Sequence, residues 1–366
     1  MAFSEQLVLG SQMKAAREVV YLSPDDAARH LGIGAEELVG WEEERSQPSL
    51  EALEAVAELY GRSLDYFLSA TPEPVKAESL RSPERREFTE LSLTTRKVLA
   101  QFDELCRKQL ELERALGRRR EVRVPLEPPE TDPPGMAARA RLRYGLGEGP
   151  VKRLRDLVEV EGVRIFELPA PPDELSGLSS WHAEYGPCIL VNASDPAGRR
   201  SFTLAHEYCH LLMRDASGIC QIAVGGETPG REERTADRFA VEFLMPKEPV
   251  RDDFSNRQMG ERPVPAALGK LATAWGVSLE AMTRRLVEVG ALSRAALSDV
   301  LAARDQWQPF FRKPRVPTWR RRLGEQYVSL AVEAYREGKV SLGKLAACLG
   351  VDIRDALKAA KGHGAR

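Results

Sequence analysis

No stretch of this 366-residue chain approaches the roughly 20 consecutive apolar residues that a membrane span requires. The amino-terminal MAFSEQLVLGSQMKAAREVV likewise lacks the uncharged apolar run of a secretory leader, so the sequence alone predicts a cytoplasmic protein. Cysteine is scarce. Cys106, Cys188, Cys209, Cys220 and Cys348 are odd in number, widely spread and without a CxxC pair, which argues against a disulfide framework and against a thiolate zinc site. Any metal must therefore be held by histidine and carboxylate. An excess of one charge is missing too: 53 Lys and Arg face 55 Asp and Glu, a net −2, which excludes a uniformly basic nucleic-acid binder. At 43% apolar residues the chain is not disordered, and its length exceeds what one core organises, so two or three domains are expected.

The small net charge hides an asymmetry. Residues 1–70 hold five basic and 13 acidic side chains, a net −8, leaving the remainder at net +6. Their apolar residues recur at helical spacing, Ser23-Pro24 starts one helix, and Ser49 caps another from Leu50 to Tyr60. Asp25 to Leu31, Gly32, then Ala35 to Glu44 reads as helix, turn, helix. The run AARHLGIGAEELVGWEEERSQPSLEALEAVAELYGRSLDYFL resembles the helix-turn-helix domain of the lambda-repressor or xenobiotic-response-element (XRE) class, a resemblance that implies DNA binding. Charge opposes that implication. The expected recognition helix carries Glu36, Glu37, Glu42, Glu43 and Glu44 and nothing basic before Arg45, so a major groove should repel it.

A Pro-punctuated stretch, TPEPVKAESLRSP, precedes a helical run from about Glu87 to Leu116, in which Leu91, Val98, Leu105 and Leu112 repeat every seven residues. That stripe fits packing along another helix or a symmetry mate, a possible homodimer; a spacer helix docked on a neighbouring domain is the simpler reading. GRRREVRVPLEPPETDPPG then resembles a linker. From about Ala137 the chain alternates: a helix near Val151 to Glu159, β-like runs at Val163 to Leu168, Ser176 to Trp181 and Cys188 to Asn192, then helices from Pro196 through Arg214 and from Arg231 to Leu244. KLATAWGVSLEAM (Lys270 to Met282) and KLAACLGVDIRDAL (Lys344 to Leu357) repeat the helix, Gly, helix pattern of AARHLGIGAEEL. Between them FRKPRVPTWRRRLG gathers Arg312, Lys313, Arg315, Arg320, Arg321 and Arg322 around aromatics, which suits a phosphate backbone, an acidic protein or solvent equally well.

The string with the most chemistry is Phe202-Thr203-Leu204-Ala205-His206-Glu207-Tyr208-Cys209-His210. Helical positions four apart lie about 6 Å from one another on one face, so His206 and His210 can offer ring nitrogens to one zinc ion. Glu207 is offset, poorly placed to ligate but well placed as general base on a bound water. Composition predicts such a string about 0.01 times by chance. A catalytic zinc needs a third ligand and an open position. His30, His182 and His363 have no ligand spacing, whereas Glu233 and Asp237 lie four apart on a second helix. Glu233 can complete a two-His, one-carboxylate site and Asp237 can accept the Nδ1 proton of a ligating imidazole. Glu232 is the rival ligand.

SGLSSWHAEYGPCILVNASDPAGRRSFTLAHEYCHLL (Ser176 to Leu212) and EERTADRFAVEFLMP (Glu232 to Pro246) together resemble the ImmA/IrrE family of gluzincin-like zinc metallopeptidases, over roughly residues 135 to 250. The resemblance implies zinc on His206, His210 and Glu233, with Glu207 as catalytic base and Asp237 behind a ligand. Family members often have Gly where Cys209 stands, and the cysteine adds a redox-sensitive thiol near the metal. Tyr185 and His182, between two expected strands, are candidates for stabilising an oxyanion, and an extended peptide could pair with an exposed edge of the sheet.

The expected fold is multidomain and mostly α: an all-α helix-turn-helix domain over 1–70, a linker with a long helix over 71–135, an α+β zincin-like metallopeptidase core with a small sheet over 136–250, and a C-terminal helical region over 251–366. The expected function is a zinc-dependent endopeptidase that cleaves a protein substrate, such as a helix-turn-helix repressor, in a bacterial stress or mobile-element regulatory response. The alternative is an XRE-type DNA-binding regulator whose peptidase-like domain is a sensor.

Overall fold

The computed structural model describes residues 10–68, 91–128, 132–171, 174–214, 230–257, 265–302 and 318–362. Cys220, His363, the stretch 71–83 read as a linker and the basic residues 312–315 lie outside them. Among the described residues are 18 helices and one three-stranded sheet, so the chain is mostly helical. It divides into two compact units, residues 1–120 with 318–366, and residues 121–317. The C-terminal helical region expected over 251–366 is divided between the two units at residue 318.

The first unit opens with α1 (Gly10–Val19), α2 (Pro24–Leu31), α3 (Ala35–Glu42), α4 (Leu50–Tyr60) and α5 (Leu64–Leu68). Ser23 and Ser49 accept hydrogen bonds from the amides of Asp26 and Ala52, each 3.1 Å, capping α2 and α4 where the sequence placed their starts. Met13, Ala16, Ala27, Leu38, Trp41, Val56 and Phe67 form the core of this bundle. Glu42 does not share the outward face expected for it: it is buried and holds Arg17 through two bonds of 2.7 and 2.8 Å, clamping α1 to α3. Glu36, Glu37, Glu43 and Glu44 remain exposed.

The long helix α6 (Leu93–Ala115) is buried on more than its heptad stripe. Asp103, Glu104 and Lys108 are buried in ion pairs, with Arg62 3.3 Å from Asp103 and Lys108 2.7 Å from Glu104. The Ser63 hydroxyl also donates to Glu104, at 2.6 Å. Burial opposes the Glu104 charge, but Lys108 and Arg62 outweigh it and hold the carboxyl down to about 2. Four further helices of this unit complete the described chain.

In the second unit, α7 (Pro133–Arg143) and α8 (Leu154–Val160) precede β1 (Arg164–Leu168), β2 (Gly177–His182) and β3 (Gly186–Asn192). The sheet order is β1-β3-β2, with β3 parallel to β1 and antiparallel to β2, so β2 is an edge strand. The long helix α9 (Ala197–Met213) lies against β2 and β3 and pairs with α10 (Arg231–Leu244), which also packs on α7. Helices α11 (Lys247–Asn256), α12 (Pro265–Ala274), α13 (Leu279–Glu288) and α14 (Arg294–Ala302) follow. The core joins Ile165, Ile189 and Val191 of the sheet to Leu204, Tyr208 and Leu212 of α9 and to Phe239 and Phe243 of α10.

Residues 121–128, expected within a linker, instead pack on this unit: Val124 is buried, and the Glu127 amide donates to the Leu212 carbonyl at 2.8 Å. Asn192, fully buried at the end of β3, bonds through its side chain to both backbone groups of Ala170 and to the Leu175 carbonyl. It thereby fixes the segment that feeds β2.

Candidate metallopeptidase site

Three side chains from two helices converge. His206 Nε2 lies 3.2 Å from His210 Nε2 and 3.2 Å from Glu233 Oε2, and His210 Nε2 lies 3.5 Å from Glu233 Oε1. One donor atom from each falls within 4.8 Å of the others, the size of a single cation's coordination shell. The i, i+4 spacing on α9 supplies the two imidazoles, and α10 presents the carboxylate across the helix pair. Two neutral imidazoles and one carboxylate are a donor set that suits zinc, so the residues fit the metal. Glu232, the rival ligand, is exposed at the start of α10 and is not in this group.

Asp237, one turn beyond Glu233, receives His206 Nδ1 at 2.9 Å. A proton on Nδ1 bonded there leaves the Nε2 lone pair aimed at the cluster. Burial opposes a charge on His206, but Asp237 and Glu233 outweigh it and raise the imidazole to about 10. Burial also works against the Glu233 charge, and His206 with His210 overcomes it, lowering the carboxyl. The carboxylates thus favour positive charge at this point, supplied without a metal by the proton on His206.

Glu207 is buried on α9 and accepts a hydrogen bond from Ser179 Oγ, 2.8 Å from its Oε2. The strand is held very close here. A methyl carbon at Gly177 would sit 2.4 Å from Thr203 Cγ2 and 2.9 Å from Glu207 Oε1, so only glycine lets β2 approach this part of α9. Ser179 and Gly177 were not singled out from the sequence. The signal was present: Gly177, Ser179 and Trp181 alternate along an expected strand and so share one face. Trp181 completes it by donating from Nε1 to the Leu211 carbonyl at 3.3 Å.

Alternation places His182 on the other face of β2, where it stacks on the buried Tyr185 at 3.6 Å between ring centroids. The structure does not bring this pair to the cluster. Cys209 differs from expectation as well: it is fully buried in the core, and burial pushes its thiol up, away from the reactive thiolate expected near a metal. On the back of α9, the Tyr208 hydroxyl donates to Glu161 at 2.7 Å and accepts from Arg143 at 2.7 Å and from the Tyr144 hydroxyl at 2.9 Å. This buried network fixes the roll of the helix about its axis, and hence the direction of His206 and His210.

Residues 158–287 match the family model described as IrrE N-terminal-like domain, of the peptidase M78 group, and residues 13–67 match that described as Helix-turn-helix. The first match ends later than the 135–250 stretch on which the resemblance was read, and takes in α12 and nearly all of α13. No curated protein matches the chain. No helix among the described residues is long and apolar enough to cross a membrane. The chain thus carries an IrrE N-terminal-like domain of a metallopeptidase family behind an amino-terminal helix-turn-helix domain.

Proposed function

We propose that this chain is a zinc-dependent endopeptidase that cleaves a protein substrate, with His206, His210 and Glu233 holding the metal and Glu207 as the catalytic base. The observation that carries the reading is the convergence of two imidazoles and one carboxylate within 4.8 Å, beside a buried glutamate, in a domain of the peptidase M78 group. Bound there, zinc would supply Lewis acidity, polarising a peptide carbonyl and lowering the pKa of water to about 7. Glu207 takes a proton from the attacking water as the new C–O bond forms, and delivers it to the amine as the C–N bond breaks. Ser179 holds the Glu207 carboxylate in place, and Asp237 holds the His206 tautomer. The outer edge of β2 pairs with no other strand among the described residues, and an extended substrate added there would run beside α9 past Glu207.

The substrate we propose is a helix-turn-helix repressor, cleaved in a bacterial stress or mobile-element response, because the chain carries a domain of that same class. Its amino-terminal motif suits protein contact better than DNA, since the outward side of α3 is acidic. The test is cleavage of purified candidate repressors by the intact protein, by Glu207→Gln and by Glu233→Ala. We expect cutting by the intact protein alone, with zinc retained by Glu207→Gln and lost from Glu233→Ala. Equal cutting by the intact protein and Glu207→Gln would remove Glu207 from the role.

A further inference from the structure

The last helices of the first unit are α15 (Trp319–Leu323), α16 (Glu325–Arg336), α17 (Leu342–Leu349) and α18 (Ile353–Gly362). Shifting the amino-terminal motif by 318 positions lays α2 (Pro24–Leu31) on α17 end to end and starts α3 (Ala35) on the first residue of α18 (Ile353). The capping chemistry coincides as well. Ser23 and Ser341 each accept the amide three residues on, at 3.1 Å, and Gly32 (φ 70°) and Gly350 (φ 61°) each end the helix in the left-handed conformation. The core positions correspond in turn: Met13 with Ala331, Ala16 with Ala334, Ala28 with Ala346, Leu38 with Ala356 and Trp41 with Ala359 are all buried. Residues 325–362 are therefore a second three-helix body whose last two helices form a helix-turn-helix. The helix-turn-helix family match stops at residue 67 and does not reach it.

The two motifs differ in what their second helices show to solvent. On α3 the outward positions include Glu36 and Glu37, with the exposed Glu43 just past its end; on α18 the exposed side chains are Ile353, Arg354, Lys358 and Lys361. Arg354 stands where Glu36 stands, and Lys361 where Glu43 stands. Asp355, the sole acid on α18, is paired to Lys358 at 2.8 Å, and the exposed Asp352 caps the start of the helix by accepting from the Asp355 amide at 2.7 Å, so three cations against two acids leave this face at net +1. Lys339, in the turn before α17, is exposed too. The charge that barred the first motif from a phosphate backbone is thus reversed in the second.

We infer that α17 and α18 form a second DNA-binding helix-turn-helix, with Arg354, Lys358 and Lys361 of α18 meeting the phosphates and groove of duplex DNA. Geometry selects this occupant: the second helix of such a motif lies in the major groove, and clustered cations along it supply the sequence-independent part of the affinity. The inference does not depend on the peptidase reading, because none of these residues belongs to the second unit.

The test is binding of the full-length protein to a labelled random-sequence duplex across a salt series. We expect a dissociation constant in the range of about 10⁻⁴ to 10⁻⁶ M, with log affinity falling linearly against log salt. The triple variant R354Q/K358Q/K361Q should bind at least tenfold more weakly and flatten that slope by about 2.7, about 0.9 for each phosphate no longer neutralised, while melting at the wild-type temperature. Should the triple variant unfold, Lys361→Gln alone should flatten the slope by about 0.9. Neutralising α3 with E36Q/E37Q/E43Q should leave binding undiminished. The inference is overturned by absent duplex binding at low salt, by an unchanged slope in the variants, or by loss of binding on neutralising α3. It is also overturned if the triple variant instead abolishes self-association seen in sedimentation, which would make the acidic helix of a second copy the partner of α18.

Discussion

At the scale of single residues, the site is defined by who touches Glu207 and His206. Gly177 is the sharpest case, because its missing side chain is what lets β2 reach α9; Gly177→Ala forces a stiff, branched Thr203 methyl or the Glu207 carboxylate to move. It is expected to cost about 1–3 kcal/mol of stability and to lower peptidase turnover at least tenfold, read from a melting curve and a cleavage assay together. Ser179→Ala keeps the strand but frees the carboxylate, so it should reduce turnover with little change in melting temperature. Glu104 gives a pH prediction in the first unit. Its carboxyl is held to about 2 against an ordinary 4.5, so its stabilisation is complete above the ordinary value and is lost as pH falls through about 2. Acid titration of circular dichroism should show the fold losing stability in that window, and Glu104→Gln should remove this part of the pH dependence.

The helices themselves were the most legible elements. The sequence placed α9 between Pro196 and Arg214 and α10 between Arg231 and Leu244, and the observed bounds are Ala197–Met213 and Arg231–Leu244. Long periodic apolar stripes ended by Pro196, by Pro246 and by the turn of α9 at Arg214 carry that information locally. The ligand candidates followed from it, since i, i+4 spacing alone puts His206 over His210 and Glu233 over Asp237. Burial of charge was not legible: nothing in the seven-residue repeat of α6 marks Asp103, Glu104 and Lys108 for burial, yet each finds an ionic partner inside the fold, which only tertiary contacts reveal. The same holds for Arg285 on α13, fully buried, which donates to the Met245 carbonyl at 2.8 Å and pairs with Glu242 of α10 at 2.5 Å and Glu288 at 3.0 Å. This cluster ties α10 to α13. Arg285→Ala leaves Glu242 paired with Arg238 alone, 2.6 Å away, and leaves the Met245 carbonyl without its donor, and should cost about 1–3 kcal/mol. Because α10 carries Glu233 and Asp237, the variant should also bind zinc more weakly, measured by competition with a chelating dye.

For the whole molecule, the observed division into 1–120 with 318–366 and 121–317 could not have been read from periodicity. Local pattern identifies α16, α17 and α18 as helices but says nothing about which core they join, and α12 with α13 shows nearly the same Gly-containing pattern while belonging to the other unit. Two cores predict two responses. If the proposed zinc bridges α9 and α10, it would stabilise only the second unit, by about 4 kcal/mol when free metal exceeds its dissociation constant a thousandfold. Calorimetry before and after chelation should therefore lower one transition and leave the other unmoved. The central claim, that Glu207 beside a zinc held by His206, His210 and Glu233 cleaves a protein, is tested most directly by mapping new protein termini in cells producing the intact chain or the Glu207→Gln form. The account predicts a discrete set of cleavage products that require Glu207, with equal zinc in both proteins; identical termini in the two cell populations would contradict it.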